Sequence, residues 1–182
     1  MGKVIVDSSM GFEEAIAGTL APPEVVDGLS LFDVRYYAFD GNLHQGQLVL
    51  DRRLKGEIED IFGTMKDLRF PVAKVIPIVH YAWSDEASMI DNNTSAFNYR
   101  FVAGTQRLSR HGSGRAIDIN PRQNPVVYAD GTTLPPGAVY FPPAQGALSH
   151  ACPIVEEFLS WGWKWGGDFT TFRDYHHFEK PL

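Results

Sequence analysis

The chain has 182 residues, enough for one domain with a sizeable core, and 44% apolar with 21% charged residues is ordinary for a globular protein. A net charge of −6, with no Lys/Arg stripe, argues against a nucleic-acid partner. No apolar run approaches the roughly 20 residues of a membrane span; the N-terminus shows no basic stretch before an apolar core; and the single cysteine, Cys152, excludes an internal disulfide and leaves the compartment open.

Residues 1–30 are poorly patterned and read as a loosely attached segment, ahead of one domain over 31–182. Leu31 to Phe39 is β-rich. Asp40-Gly41-Asn42 then reads as a hairpin turn, with Gln47 to Leu50 as the return strand. Leu54, Ile58, Ile61, Phe62, Met65 and Leu68 recur at helical spacing, so a helix is expected over 54–68, ended by Phe70-Pro71. Val72 to Val79 is β-branched and predicts a buried strand, with Pro77 marking a bulge or edge. Residues 84–97 are polar and read as a loop. Arg115 to Asn120 alternates and predicts a strand. Pro121 to Pro143 reads as a long ordered loop. A helix is expected over Pro153 to Trp161, stopped by Gly162. Trp163 to Trp165 and Tyr175 to Glu179 are short strand candidates. The sum is α+β: a small, mostly antiparallel sheet packed with a few helices, with a cleft expected on one sheet face.

Two stretches carry chemistry. The first, Ser109 to Asp118, offers His111 and Asp118. Seven extended residues span about 23 Å, so both side chains reach one ion only if the chain folds back between them. Gly112 and Gly114 make that bend easy. The second, Asp174-Tyr175-His176-His177-Phe178-Glu179, offers a further imidazole and further carboxylates. Two imidazoles and one carboxylate can hold zinc and leave a coordination position open. A second carboxylate beside it then serves as general base. On spacing alone the third ligand is His176 or His177. The base is Asp174 if a turn precedes His177, or Glu179 if the strand runs unbroken; Asp168 is a weaker candidate. His44, His80 and His150 read as ordinary histidines.

The pattern Ser109-x-His111-x-x-Gly114-x-Ala116-x-Asp118, followed by Gly162-Trp163-x-Trp165-Gly166-Gly167-Asp168 and Asp174-x-x-His177-Phe178, resembles the M15 zinc peptidases. These include D-alanyl-D-alanine carboxypeptidases and L-alanyl-D-glutamate endopeptidases. The resemblance runs from about Asn93 to the C-terminus. It implies Zn2+ held by His111, Asp118 and His177, with Asp174 as general base. It offers Arg100 as the cation that polarises the scissile carbonyl or holds a substrate carboxylate. Ser109 matches the small polar residue before the first ligand and is read, with Trp165, on the substrate side.

The implied reaction is zinc-dependent hydrolysis of a peptide bond in a peptidoglycan stem peptide. Two other readings compete with it. Non-haem iron oxygenases also use two histidines and a carboxylate, but the His-x-carboxylate spacing by which that class is recognised is not that of His111 and Asp118, which stand seven positions apart. A non-catalytic, zinc-stabilised cell-wall or protein-binding module would keep the site without the chemistry. Oligomeric state is not legible.

Overall fold

The computed structural model describes residues 3–102 and 104–181. Strand β1 is Ile5–Val6, β2 Leu29–Tyr37 and β3 Leu43–Asp51. β2 and β3 pair antiparallel from Leu29↔Asp51 to Tyr37↔Leu43, and β1 adds to β3 in parallel. The hairpin turns where expected. Gly41 takes a φ of +79°, and Asp40 Oδ1 accepts from the Asn42 amide at 2.9 Å, as Asp-Gly turns favour.

The two-residue period of this hairpin divides the core. On one face Phe32, Val34, Tyr36, Leu48 and Leu50 join the main cluster. Helix α3, Lys55–Asp67, lays Ile58, Ile61, Phe62 and Met65 there. Helix α5, Pro153–Ser160, adds Ile154, Val155 and Phe158, and the ring of Phe158 stacks on Phe178 at 3.9 Å. On the other face Leu29 and Val49 meet Ala15, Ile16 and Phe97. Two short helices, α1 (Phe12–Ala15) and α2 (Pro23–Val26), bring Phe12, Val25 and Val26 to that cluster.

The run Val72 to Val79 is not a strand. Among the described residues, only Val72, donating to the Tyr37 carbonyl of β2, and Val75, accepting from the Gln47 amide of β3, hydrogen-bond the hairpin's backbone; other amides are paired by side chains, as burial demands. Asn120 Oδ1 accepts from the Ala73 amide. The Tyr36 hydroxyl accepts from the Val75 amide. Asn93 both accepts from the Ile76 amide and donates to the Ile76 carbonyl. Pro71 and Pro77 have no N–H to offer a ladder, and Ile78–Tyr81 forms a 3-10 turn. The polar stretch after Trp83 is also more ordered than expected. Helix α4 spans Asp85–Ile90, with the Ser84 hydroxyl capping the Ala87 amide at 3.1 Å.

Among the described residues the remaining strands form two further three-stranded sheets. One has β4 (Ala116–Asp118) paired with β9 (His177–Glu179), and β9 with β7 (Lys164–Trp165). The other has β5 (Val126–Val127) between β6 (Thr133–Leu134) and β8 (Arg173–Asp174). The long loop expected after Pro121 therefore contains a small hairpin. The architecture is α+β, with small antiparallel and mixed sheets and a few helices.

Candidate metal centre and its cleft

Three elements deliver the donors. His111 opens a 3-10 turn, His111–Ser113, which Gly114 ends at a φ of +67°. A Cβ at Gly114 would lie 2.7 Å from the Asp51 amide nitrogen and 2.5 Å from Leu29, so this bend packs directly against the hairpin. The Gly114 carbonyl accepts from that amide at 2.8 Å. The chain then reverses into β4, where Asp118 stands opposite His177 of β9. A β-turn at Tyr175–His176 separates β8 from β9, so Asp174 and His177 belong to different sheets.

His111 Nε2 lies 3.2 Å from Asp118 Oδ1 and 3.2 Å from His177 Nδ1. His177 Nδ1 lies 3.0 Å from Asp118 Oδ1. A tetrahedral ion with bonds of about 2.0–2.1 Å needs donors about 3.3 Å apart, so the spacing suits one. All three residues are buried. The outer contacts set the tautomers. His111 Nδ1 donates to the Ala96 carbonyl at 2.6 Å, which turns its Nε2 lone pair inward. His177 Nε2 faces Glu179 Oε2 at 3.3 Å, which turns its Nδ1 lone pair inward. Three lone pairs then converge on one buried point. That arrangement is unfavourable unless a cation or protons lie among them. This His-Asp-His group can hold a metal ion.

The surrounding charges act in the same sense. Burial opposes ionisation of Asp118, but His111 and His176 outweigh it and hold its carboxyl well below the usual carboxylate range. Burial opposes a proton on His177, yet the hydrogen bonds to Asp118 and Glu179 raise its pKa to about 10. The centre therefore favours net positive charge between its ligands.

Asp174 and His176 stand beside it. Asp174 Oδ1 is buried and has no hydrogen-bond partner among the described residues, although His176 Nε2 lies 3.0 Å away. Because Nδ1 is committed as a donor to the Asn124 carbonyl, Nε2 meets this carboxylate oxygen favourably as an ion pair when it too carries a proton. The centre opens into a cleft of about 880 Å³. Phe169, Phe172 and Tyr128 form a row of rings along one part of it, each 5.7–5.9 Å from the next, and it begins at His177.

Residues 103–180 match the family model described as D-alanyl-D-alanine carboxypeptidase, of the M15 peptidases. The match supports an M15-family peptidase reading of that segment. No curated protein and no solved structure matches it.

The M15 segment contains the His/Asp/His group and Asp174 but not the whole cleft. Arg100 and Asp85, which precede it, line the cleft as an ion pair. Arg100 Nη1 also lies 3.5 Å from the Ser109 hydroxyl. Ser109 lines the cleft and accepts from the His111 amide at 3.3 Å, so it braces the turn that carries the first donor. Trp165 does not face the cleft. It is 3% exposed, donates to the Tyr175 carbonyl at 2.9 Å, and packs in the core beside Phe178. Glu179 is engaged with His177 rather than beside Asp174. Asp168 pairs with His150 at 2.8 Å near the surface. On spacing alone His176 is an alternative third ligand. The structure places it at the site without joining the three donors.

Proposed function

We propose that this protein is a zinc-dependent peptidase that hydrolyses a peptide bond of peptidoglycan stem peptides, as a D-Ala-D-Ala carboxypeptidase or an L-Ala-D-Glu endopeptidase. The observation that carries the reading is the convergence of three inward lone pairs from His111, Asp118 and His177, with the buried carboxylate of Asp174 lining the same cleft. Zinc fits that donor set, because two imidazoles and one carboxylate leave a position open for substrate or water.

When bound there, zinc supplies Lewis acidity, which makes water a nucleophile near neutral pH and polarises a carbonyl. Asp174 takes the proton of the attacking water and returns it to the leaving amine. Arg100, anchored by Asp85, provides positive charge for the developing oxyanion or for a substrate carboxylate. His111 and His177 are held in the required tautomers by Ala96 and Glu179.

The test is incubation of the zinc-loaded protein with muropeptides, reading released D-Ala or split stem peptides by mass spectrometry. Asp118→Ala is expected to lose zinc. Asp174→Ala is expected to keep zinc and lose hydrolysis by about two to four orders of magnitude. A zinc-loaded wild-type protein that cleaves no stem peptide would overturn the reading and favour a zinc-stabilised binding module. Tight zinc in Asp118→Ala would overturn the ligand set.

A further inference from the structure

Among the buried titratable groups near the cleft, His176 is the one that the proposed chemistry leaves without a part. Its ring is 3% exposed and held at both ends. Nδ1 donates to the Asn124 carbonyl at 2.7 Å. Asn124 is itself clamped, donating to the carbonyls of Ile119, Asn120 and Gly146 and accepting from the Leu148 amide. The His176 carbonyl accepts from the Ile119 amide at 3.0 Å, so the turn at Tyr175–His176 is tied to the chain leaving β4. At the other end of the ring, Nε2 lies 3.0 Å from Asp174 Oδ1 and 3.9 Å from Asp118 Oδ2.

We infer that His176 is a positioning residue for Asp174: it transmits the rigidity of the Asn124 frame to the carboxylate proposed as general base. Asp174 needs such a support. Its Oδ1 is buried with no hydrogen-bond partner among the described residues, and β8, which carries it, is only two residues long. With Oδ1 held against the His176 ring, Oδ2 is the oxygen left to exchange a proton on the substrate side. Asp118 Oδ2 lies 3.9 Å from the same Nε2, so the ring stands close to both the proposed base and a proposed ligand. This inference rests on the proposed hydrolytic role of Asp174.

Two substitutions separate the two ends of the ring. His176→Asn can replace the Nδ1 donor to Asn124 but offers nothing toward Asp174. His176→Gln places an amide near the Nε2 position. With the full-length zinc-loaded protein, His176→Asn is expected to lower kcat about 10- to 100-fold. KM should change little, with zinc content and melting temperature retained. His176→Gln, which keeps an amide near Asp174 but gives up the bond to Asn124, should lower kcat as well, because the ring supports Asp174 only when held at both ends. In the Asp174→Ala background, His176→Asn should cost nothing more, because its effect passes through Asp174. A readout free of activity is nitrogen NMR of the histidine rings, where Asp174→Asn should move the His176 Nε2 resonance and leave Nδ1 in place. The inference is overturned by wild-type kcat in His176→Asn or in His176→Gln, or by an Nε2 resonance indifferent to Asp174→Asn. If wild-type protein cleaves no stem peptide, the hydrolytic reading fails, while the resonance still reports whether His176 engages Asp174.

Discussion

Gly166 offers a direct steric test of how Asp174 and His177 are held. A Cβ built there would lie 2.4 Å from the Asp174 carbonyl oxygen, 2.9 Å from Asp174 Cβ and 3.1 Å from His177 Cβ. Ordinary contacts of this kind begin near 3.5 Å, so Gly166→Ala must displace the segment from Asp174 to His177 by about 1 Å. No left-handed backbone is involved at this position, and the strain is therefore one of space alone. Forcing a methyl into a packed interior costs about 1–3 kcal/mol, and a 1 Å misplacement of catalytic groups costs about 10²-fold in rate. Urea unfolding of the zinc-loaded protein should show the first effect, and kcat/KM on the cleaved muropeptide the second. Gly63→Ala is the control. It lies within α3 with nothing within 4 Å of its added Cβ, so it should stabilise by about 0.5–1 kcal/mol without touching the rate. Gly166→Ala with wild-type stability and wild-type kcat/KM would refute the packing argument.

Two further predictions concern protons. The carboxylates around His177 raise its pKa to about 10 against the opposition of burial, so near neutral pH the zinc-free protein holds a proton that zinc must expel. Zinc affinity should weaken by up to about tenfold for each pH unit lowered, and calorimetry in buffers of different ionisation enthalpy should register proton release; heats independent of buffer would contradict this. His44 provides the second. Burial opposes its charge, but hydrogen bonds to Asp7 and Asp40 outweigh that and raise its pKa above the ordinary value of 6.5. A group with a raised folded pKa stabilises fully below its unfolded value and loses that contribution as pH rises through the folded one. His44→Ala should therefore cost about 1–3 kcal/mol at pH 5–6 and progressively less at alkaline pH, as read by denaturant midpoints; a difference that grows with pH would be the wrong sign.

Periodicity made the hairpin and the helices over 54–68 and 153–161 legible, because their apolar residues face one core. Glycine spacing likewise pointed to the bend between His111 and Asp118. The run Val72 to Val79 misled for a physical reason: β-branched residues suit a buried extended chain, but whether its amides meet a neighbouring strand or the side chains of Asn93 and Asn120 is decided by distant parts of the chain. Helix α4 lay in a stretch whose Ser84-Asp85-Glu86 start was readable as a cap with an acidic first turn, yet its apolar face was too small to mark it. The choice between Asp174 and Glu179 depends on whether a β-turn stands at Tyr175–His176. No local pattern reveals it, since the pairing of Asp174 with Val126 is what draws β8 away from β9.

The bracing of the first histidine has a consequence for how separable the peptidase segment is. His111 receives its orientation from the Ala96 carbonyl, Asp118 is laddered to Ser95, and the Gly114 bend is fastened to Asp51. All three anchors precede residue 103, where the family match begins. Residues 103–180 therefore do not form a portable cassette: grafted or expressed alone, they would carry every proposed donor and lack the scaffold that points the first of them inward.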